Sequence, residues 1–528
     1  MAVYHQGGST LNPYDYQRHD LDVLADNNYT ALVNVEPGGG KTPLGLFAVK
    51  ESGAKTTLIV APEQTHRSAW IPTAEALGLE ARVIGNGNKR QKDAMFDFTM
   101  GYGGVYLVTP QLLSRKSTDV DSWTGDLCIV DEGHLLNAAG TQGQRRLSGY
   151  HLNDGVPMSR RFDGRLFLSG TSWRNSFERA WGTMRFLWPD LNREGQVARE
   201  NYYFWLMERM TSEDVVTDFE WVPVPTGRIG GVVTPLWNRV PDDARRKKID
   251  GEWHYGKVKT VKKWLNEAEP GRLISEAPCV ITHFRRSRCC DFHPNGFLPT
   301  DAPQEIRHVI ELAPAQKKAI RELENHYITW LDGHPMEADL TLTQKQRIRQ
   351  LCLGVPTLSF YEDGDEEKVS VDFDPACVSP FFQEFEEILL ETGDEPIVAY
   401  VESRKFAEVI VEKCRKIGVS AFEYSGATRK DRDDMLAEFG STYRVAVVVL
   451  SAGGTGLDGV QKVTKTEVWF ERSVDETNNV QAEARADRLG GIGQVQRHIL
   501  LDEMGYAEGR MSAQLEKRRS LARTLKKW

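Results

Sequence analysis

The stretch Val35 to Thr42, VEPGGGKT, constrains this chain more than any other. An apolar run, Ala31-Leu32-Val33, comes just before it, and a helix is expected over Leu44 to Lys50. Strand, Gly-rich loop, Lys-Thr and helix together make a cradle for phosphate. Gly38, Gly39 and Gly40 let backbone N–H groups close on phosphate oxygens. Lys41 is placed to reach the β/γ-phosphates, and the Thr42 hydroxyl to bind Mg²⁺. The helix N-terminus adds a favourable dipole. Val35 stands where the usual pattern has its first Gly, so the loop is a compact GxGKT. Pro43 falls in the first helical turn, where its missing N–H is not needed. Taken alone, a Gly-rich turn that happens to precede Lys-Thr is the competing reading, so the rest of the chain decides.

Three short apolar runs end in turns and read as strands: Thr57 to Pro62 (TLIVAP), Val105 to Pro110 (VYLVTP) and Leu127 to Val130 (LCIV). The third runs directly into Asp131-Glu132-Gly133-His134. Strands alternating with helical segments give an α/β fold, a parallel sheet with helices on both faces. Ligands gather at the carboxyl ends of such strands, where the phosphate loop and the DEGH box both fall. One carboxylate at a strand end can hold Mg²⁺ through water and a second can orient an attacking water. Asp131 suits the first role and Glu132 the second. An acidic turn after a strand is common, but DEGH about ninety residues after GKT is not, and the pair points to an ATPase. Upstream, Leu11 to Gln17 (LNPYDYQ) places a Gln whose amide both donates and accepts, as an adenine edge requires. Leu166 to Thr171 (LFLSGT) is a further strand and turn.

A second α/β region begins near Pro380. A helix is expected over Phe381 to Leu390, a strand over Pro396 to Tyr400 and another helix over Phe406 to Lys416. Phe422 to Gly426 (FEYSG) and Arg444 to Leu450 (RVAVVVL) follow. Ser451 to Asp458 (SAGGTGLD) is a Gly-rich turn suited to phosphate contact, with Gly456 and Asp458 as candidates. In Gln481 to Gln494 (QAEARADRLGGIGQ), Gln481, Arg485 and Arg488 fall at helical spacing on one face. Two such arginines could reach a γ-phosphate across a cleft, although most arginine-bearing helix faces are simply solvated.

Between these regions the pattern changes. Trp205, Trp221, Trp237, Trp253 and Trp264 sit in polar surroundings, beside the basic runs Arg245 to Lys248 and Lys257 to Lys263. Cations interleaved with aromatics suit a nucleic-acid backbone and its bases. Asp242, Asp243, Asp250 and Glu252 dilute the patch, and a solvated hairpin or helix face is the stronger reading. His283, Cys289, Cys290 and His293 lie close together, but adjacent cysteines do not match the paired spacing of zinc fingers, so a structural role is expected. Glu362 to Lys368 (EDGDEEK) reads as an exposed linker.

At 528 residues the chain is long enough for about two to four domains. A net charge of −9 offers no global attraction to nucleic acid, so any such contact must be local. Seven scattered cysteines suggest reduced thiols and a cytoplasmic setting. The polar start (MAVYHQGGST) is not the pattern of a secretory signal. Apolar runs such as Val445 to Leu450 are too short to span a membrane. A monomer is plausible.

The series YQ, GGGKT, TLIVAP, VTP, DEGH, SGT, YSG, SAGGTGLD and QAEARADR resembles a superfamily two helicase. The QAxxRxxR…GQ ending, the LSAGGTGL loop, PYDYQ and the Arg285-Arg286 pair before a QxxxI helix (Gln316 to Ile320) resemble the chromatin-remodeller-like, Swi/Snf-type branch of DNA translocases. The chain departs from that branch in RLGGIGQ, in Ala484 before Arg485 and in Ser172 after SGT. Its compactness is closer to a viral or bacterial member. The resemblance implies two RecA-like lobes with parallel sheets, residues 1–190 and 381–528, and a mostly helical insertion, 191–380, between them. It also implies ATP between the lobes, with Gln17 on adenine, and Gly38, Gly39, Gly40, Lys41 and Thr42 on phosphate. Thr42 and Asp131 would hold Mg²⁺, Glu132 would serve hydrolysis, and Arg485 and Arg488 would come from the second lobe. Loops at Thr65, Thr109 and Ser425 to Gly426 would grip one strand of single- or double-stranded DNA. A viral packaging ATPase and a nucleic-acid-binding scaffold with an inactive core are the alternatives.

Overall fold

The buried, β-branched runs of the sequence form two parallel sheets. In the computed structural model the described residues are 11–115, 120, 122–138, 141–148, 156–170, 179–190, 210–213, 219–224, 226–229, 232–235, 240, 246–249, 251–258, 261–264, 277–298, 300–326, 328–331, 334–337, 341–363, 366–428, 431–451, 457, 459–488, 490–509 and 511–512. The first lobe contains helix α1 (Asp15–Asp26), β1 (Thr30–Val35), helix α2 (Lys41–Ser52), β2 (Thr56–Val60), β3 (Ala81–Val83), β4 (Gly104–Val108), β5 (Gly125–Asp131) and β6 (Phe162–Leu168). The strand Val280–His283 joins the sheet at its edge. The order is Val280–His283, β1, β6, β5, β2, β4, β3, and every pairing is parallel. β1 and β2 are buried along their whole length, as strands covered on both faces must be. Leu46, Phe47, Ile59, Trp70 and Leu168 belong to one core.

The second lobe repeats this logic. Its six strands run in the order Gln304–Ile310, Gln496–Asp502, Thr466–Trp469, Ile397–Val401, Val445–Val449, Ala421–Tyr424, again all parallel. Helices Pro380–Glu391 and Arg404–Lys416 begin at serine caps, Ser379 and Ser403, whose side chains accept from the backbone N–H groups of Phe382 and Phe406. Phe381, Phe385, Phe406 and Phe470 fill the core between helices and sheet. The fold is therefore α/β with two parallel-sheet lobes, and both lobes belong to one compact unit, residues 1–190 with 277–527.

The expected helical insertion is corrected. The described residues of 191–276, a separate unit, form antiparallel strands: a three-stranded sheet of Arg246–Ile249, Glu252–Val258 and Phe219–Pro223, the hairpin Thr226–Ile229 with Val232–Pro235, and the distant pair Met210–Glu213 with Val261–Trp264. The sequence carries the reason. Asp250-Gly251 and Gly230-Gly231 are two-residue hairpin signals flanked by short β-branched or aromatic runs. Further along, helices Pro314–His326 and Thr341–Leu353 pack into the core of the second lobe through Ile320, Leu323, Ile348 and Leu351. The acidic stretch near Glu362 is the tip of a hairpin, Thr357–Asp363 with Glu366–Asp372, and not a linker. Among the described residues no helix is long and apolar enough to cross a membrane.

Candidate active site

The loop between β1 and α2 is set by its glycines. Gly38 and Gly40 have φ of +91° and +73°, which L side chains rarely adopt. A Cβ on Gly39 would lie 2.4 Å from the Val35 side chain and 3.0 Å from the Phe297 ring. One on Gly40 would lie 2.7 Å from Gln17 Nε2. The cradle is thus built from bare backbone. Lys41 opens α2, and its Nζ donates to the Val35 carbonyl at 2.8 Å. A phosphate is a stronger, charge-assisted partner for that ammonium than a neutral carbonyl. Thr42 follows it in the first turn.

Asp131 ends β5, in the register that carries Val130 beside Val60. It is buried. Its Oδ2 accepts from Trp70 Nε1 at 2.9 Å and its Oδ1 from the Glu132 N–H at 2.9 Å. Burial, then the charge of Glu132, pushes its carboxyl up to about 6, against the pull of Lys41 and the Trp70 hydrogen bond. Glu132 has a left-handed backbone, φ +48° and ψ +46°. Burial acts to raise its carboxyl too, but His134, Lys41 and Arg485 outweigh it and hold it below the ordinary range. His134 Nδ1 lies 3.1 Å from Glu132 Oε2 and 3.4 Å from Ser169 Oγ, just after β6. Arg179 Nη1 donates to the His134 carbonyl at 2.8 Å. The DEGH turn is therefore wired to the SGT strand end, whose Gly170 sits so near the loop that a Cβ would touch Pro37 at 2.8 Å.

The second lobe supplies positive charge to the same place. Arg485 lies on helix Glu476–Ala486, and its charge acts on Glu132. The helix stops at Ala486 with Asp487 as its cap, so Arg488 is not on the helical face with Gln481 and Arg485, as the spacing suggested. Arg488 instead leaves the turn to place its side chain beside Gly38, with Cγ 3.4 Å from where a Cβ would stand. Gln481 is buried in its own lobe. Asp487, which spacing passed over, clasps the lobes together. Arg286 meets it with both ends of its guanidinium, at 2.6 and 2.5 Å, and Arg285 Nη2 lies 2.8 Å away. Arg285 N–H donates to Glu36 Oε2 at 2.6 Å, so the clasp runs on into the loop. Phe297, also unmarked in the sequence, closes the loop from the side of Gly39.

Gln17 is fully buried. Its Oε1 accepts from the Tyr14 N–H at 3.1 Å and its Nε2 donates to the Gly40 carbonyl at 3.2 Å. It therefore ties α1 to the phosphate loop. Thr65 Oγ1 donates to the Pro62 carbonyl, Thr109 caps the helix Pro110–Leu113, and the Ser425 hydroxyl accepts from the Ala427 N–H. Thr65 ends the short helix Glu63–Thr65 that follows β2, and Thr109 and Ser425 directly follow strands. Gln316 is wholly buried, donating to the carbonyls of Leu351 and Cys352. In the separate unit, Lys248 Nζ stands 5.7 Å over the Trp253 ring. Gly456, Asp458, Thr171, Trp205, Trp237 and Arg245 lie outside the described residues.

No family model and no curated protein matches the sequence. Among solved structures, the chain is similar to the Sulfolobus solfataricus SWI2/SNF2 ATPase core in complex with dsDNA. The identity is 16%, the match covers 94% of this chain and 90% of that one, and the TM-score is 0.36.

Proposed function

We propose that the chain is an ATP-dependent DNA translocase or helicase that hydrolyses ATP between its two lobes. One observation carries this reading: the Gly-rich loop with Lys41, the carboxylates Asp131 and Glu132, and the second lobe's Arg485 and Arg488 converge on one place. Phosphoryl transfer needs little covalent chemistry from a protein and much electrostatic positioning, and this set provides it. The bare-backbone cradle fits triphosphate oxygens, and the hydroxyl–carboxylate pair of Thr42 and Asp131 fits Mg²⁺. Mg²⁺, when bound, neutralises charge on the β- and γ-oxygens.

The chain's own residues do the rest. Lys41 exchanges the Val35 carbonyl for phosphate. Glu132, ionised and oriented by His134, positions the attacking water. Arg485 and Arg488 add positive charge where negative charge grows, and they come from the other lobe, so hydrolysis depends on lobe closure. His134 and Ser169 carry the state of that site to the SGT strand end. DNA as the track rests on the order of motifs, which resembles the Swi/Snf-type branch. Thr65, Thr109 and Ser425 to Gly426 are the proposed strand contacts.

The test is steady-state ATPase activity of the wild type and Lys41→Ala, with no nucleic acid, single-stranded DNA, duplex DNA or RNA. Lys41-dependent turnover stimulated by duplex supports translocation, and stimulation by single strands supports strand separation. Wild-type protein with no Lys41-dependent hydrolysis under any of these conditions would overturn the reading in favour of an inactive scaffold.

A further inference from the structure

The residues that spacing set aside as structural converge in space. His283 ends the edge strand of the first sheet, in register with Val35. The chain then turns back on itself: the Cys289 N–H donates to the His293 carbonyl at 3.3 Å, and the His293 N–H to the Cys290 carbonyl at 3.1 Å. That turn stacks two thiols and a second imidazole over His283. Cys289 Sγ is 3.7 Å and Cys290 Sγ 3.8 Å from His283 Nδ1, and Cys290 Sγ is 3.6 Å from His293 Nδ1. One ligand atom from each of the four residues lies within 4.8 Å of all the others.

Hydrogen bonding alone does not account for this geometry. His283 Nε2 faces Asp20 Oδ2 at 2.8 Å, both groups buried, so the ring proton belongs on Nε2. Nδ1 is left with one lone pair, and two thiols approach it. A cation at the centre would serve all four groups at once. Tetrahedral zinc, at about 2.3 Å from sulfur and about 2.0 Å from nitrogen, spaces a sulfur and a nitrogen about 3.6 Å apart, close to the S–N separations of 3.7, 3.8 and 3.6 Å. A carboxylate on the far nitrogen of a ligating histidine is the usual device for fixing its tautomer and direction, and Asp20 stands in that position.

We propose that His283, Cys289, Cys290 and His293 bind one structural zinc ion, with Asp20 as a positioning residue. Four protein ligands close the site, which is the structural rather than the catalytic pattern. Binding releases the two thiol protons to solvent, and two thiolates neutralise the dication. Tyr16 packs on both imidazoles, with centroids 5.2 and 4.6 Å away, and its hydroxyl donates to the Gly39 carbonyl at 3.4 Å. The ion would thus clasp α1, the phosphate loop and the turn that carries Arg285 and Arg286. The proposal does not depend on any nucleotide chemistry.

The test uses the full chain, produced in zinc-supplemented medium and purified under reducing conditions. Elemental analysis is expected to give one zinc per chain for the wild type and background levels for the double variant Cys289→Ser/Cys290→Ser. Should that variant fail to fold, the wild type alone decides. Its metal is stripped with a chelator and replaced by Co²⁺, and the expected spectrum shows intense visible bands of tetrahedral geometry with thiolate charge transfer. Asp20→Asn is expected to keep that spectrum at saturation while weakening zinc affinity about 10- to 100-fold. Substoichiometric zinc with no tetrahedral Co²⁺ bands would overturn the proposal, as would a Cys289–Cys290 disulfide in the intact mass of freshly purified protein.

Discussion

Glu132 is one of three described non-glycine residues with a left-handed backbone, and it stands between two strongly placed neighbours, Asp131 and His134. Such a conformation costs on the order of 1 kcal/mol and persists where the surroundings impose it. Here it turns one carboxylate toward Trp70 and the next toward His134 and the second lobe. Arg485→Ala is expected to lower kcat about 10³-fold or more while changing the KM for ATP little, since its charge counts most in the transition state. Steady-state kinetics check this. Asp131 makes a second prediction. Its folded carboxyl is raised to about 6, so between the unfolded value and 6 the folded state holds a proton that the unfolded state has lost. Stability from this group is therefore greatest at low pH and declines as pH rises through that window. Relative to Asp131→Asn, the wild type should lose about 1–3 kcal/mol between pH 4 and 7, read by urea unfolding without Mg²⁺. The places of Lys41, Asp131 and Glu132 at strand ends are legible in sequence because apolar runs precede them. Asp487 and Phe297 are not, because their partners lie far along the chain.

At the scale of elements, the sequence marks what is apolar and continuous. Thr56–Val60, Val445–Val449 and the helix Arg404–Lys416 follow from runs and periodicity, with ends displaced by a residue or two. It marks poorly what is short and charged. The hairpin around Glu362 and the strands Arg246–Ile249 and Val261–Trp264 carry so many charges that their sequences hold no clear apolar period to read. Helical spacing also overran the end of Glu476–Ala486, where Asp487 turns toward Arg285 and Arg286 and stops the helix. That clasp is an element-level prediction. Asp487 is buried and faces two guanidinium groups, so Asp487→Ala leaves two largely covered cations without their carboxylate. The loss should be about 2–4 kcal/mol, seen as a lower denaturation midpoint with an unchanged urea slope. ATPase activity should fall with it, because the turn after Ala486 also aims Arg488 at Gly38.

For the whole molecule, two parallel sheets lie in one compact unit, while the chain carries a net charge of −9. Attraction to a polyanion must then come from a local surface, and binding should weaken steeply with salt as counterions are released. Duplex affinity measured by fluorescence anisotropy between about 50 and 200 mM salt should fall at least tenfold; an affinity indifferent to salt would sink the DNA reading.

The edge strand Val280–His283 has one further consequence. It completes the first sheet, and the chain then passes to Gln304, the first residue of the second sheet, through the segment that holds Arg285, Arg286 and Phe297. Each lobe is therefore on a short leash to the other. A short tether of this kind sets an effective concentration in the millimolar range, far above that of free protein in solution. The second lobe's arginines need no neighbouring subunit to deliver them, so turnover per chain should not change on dilution.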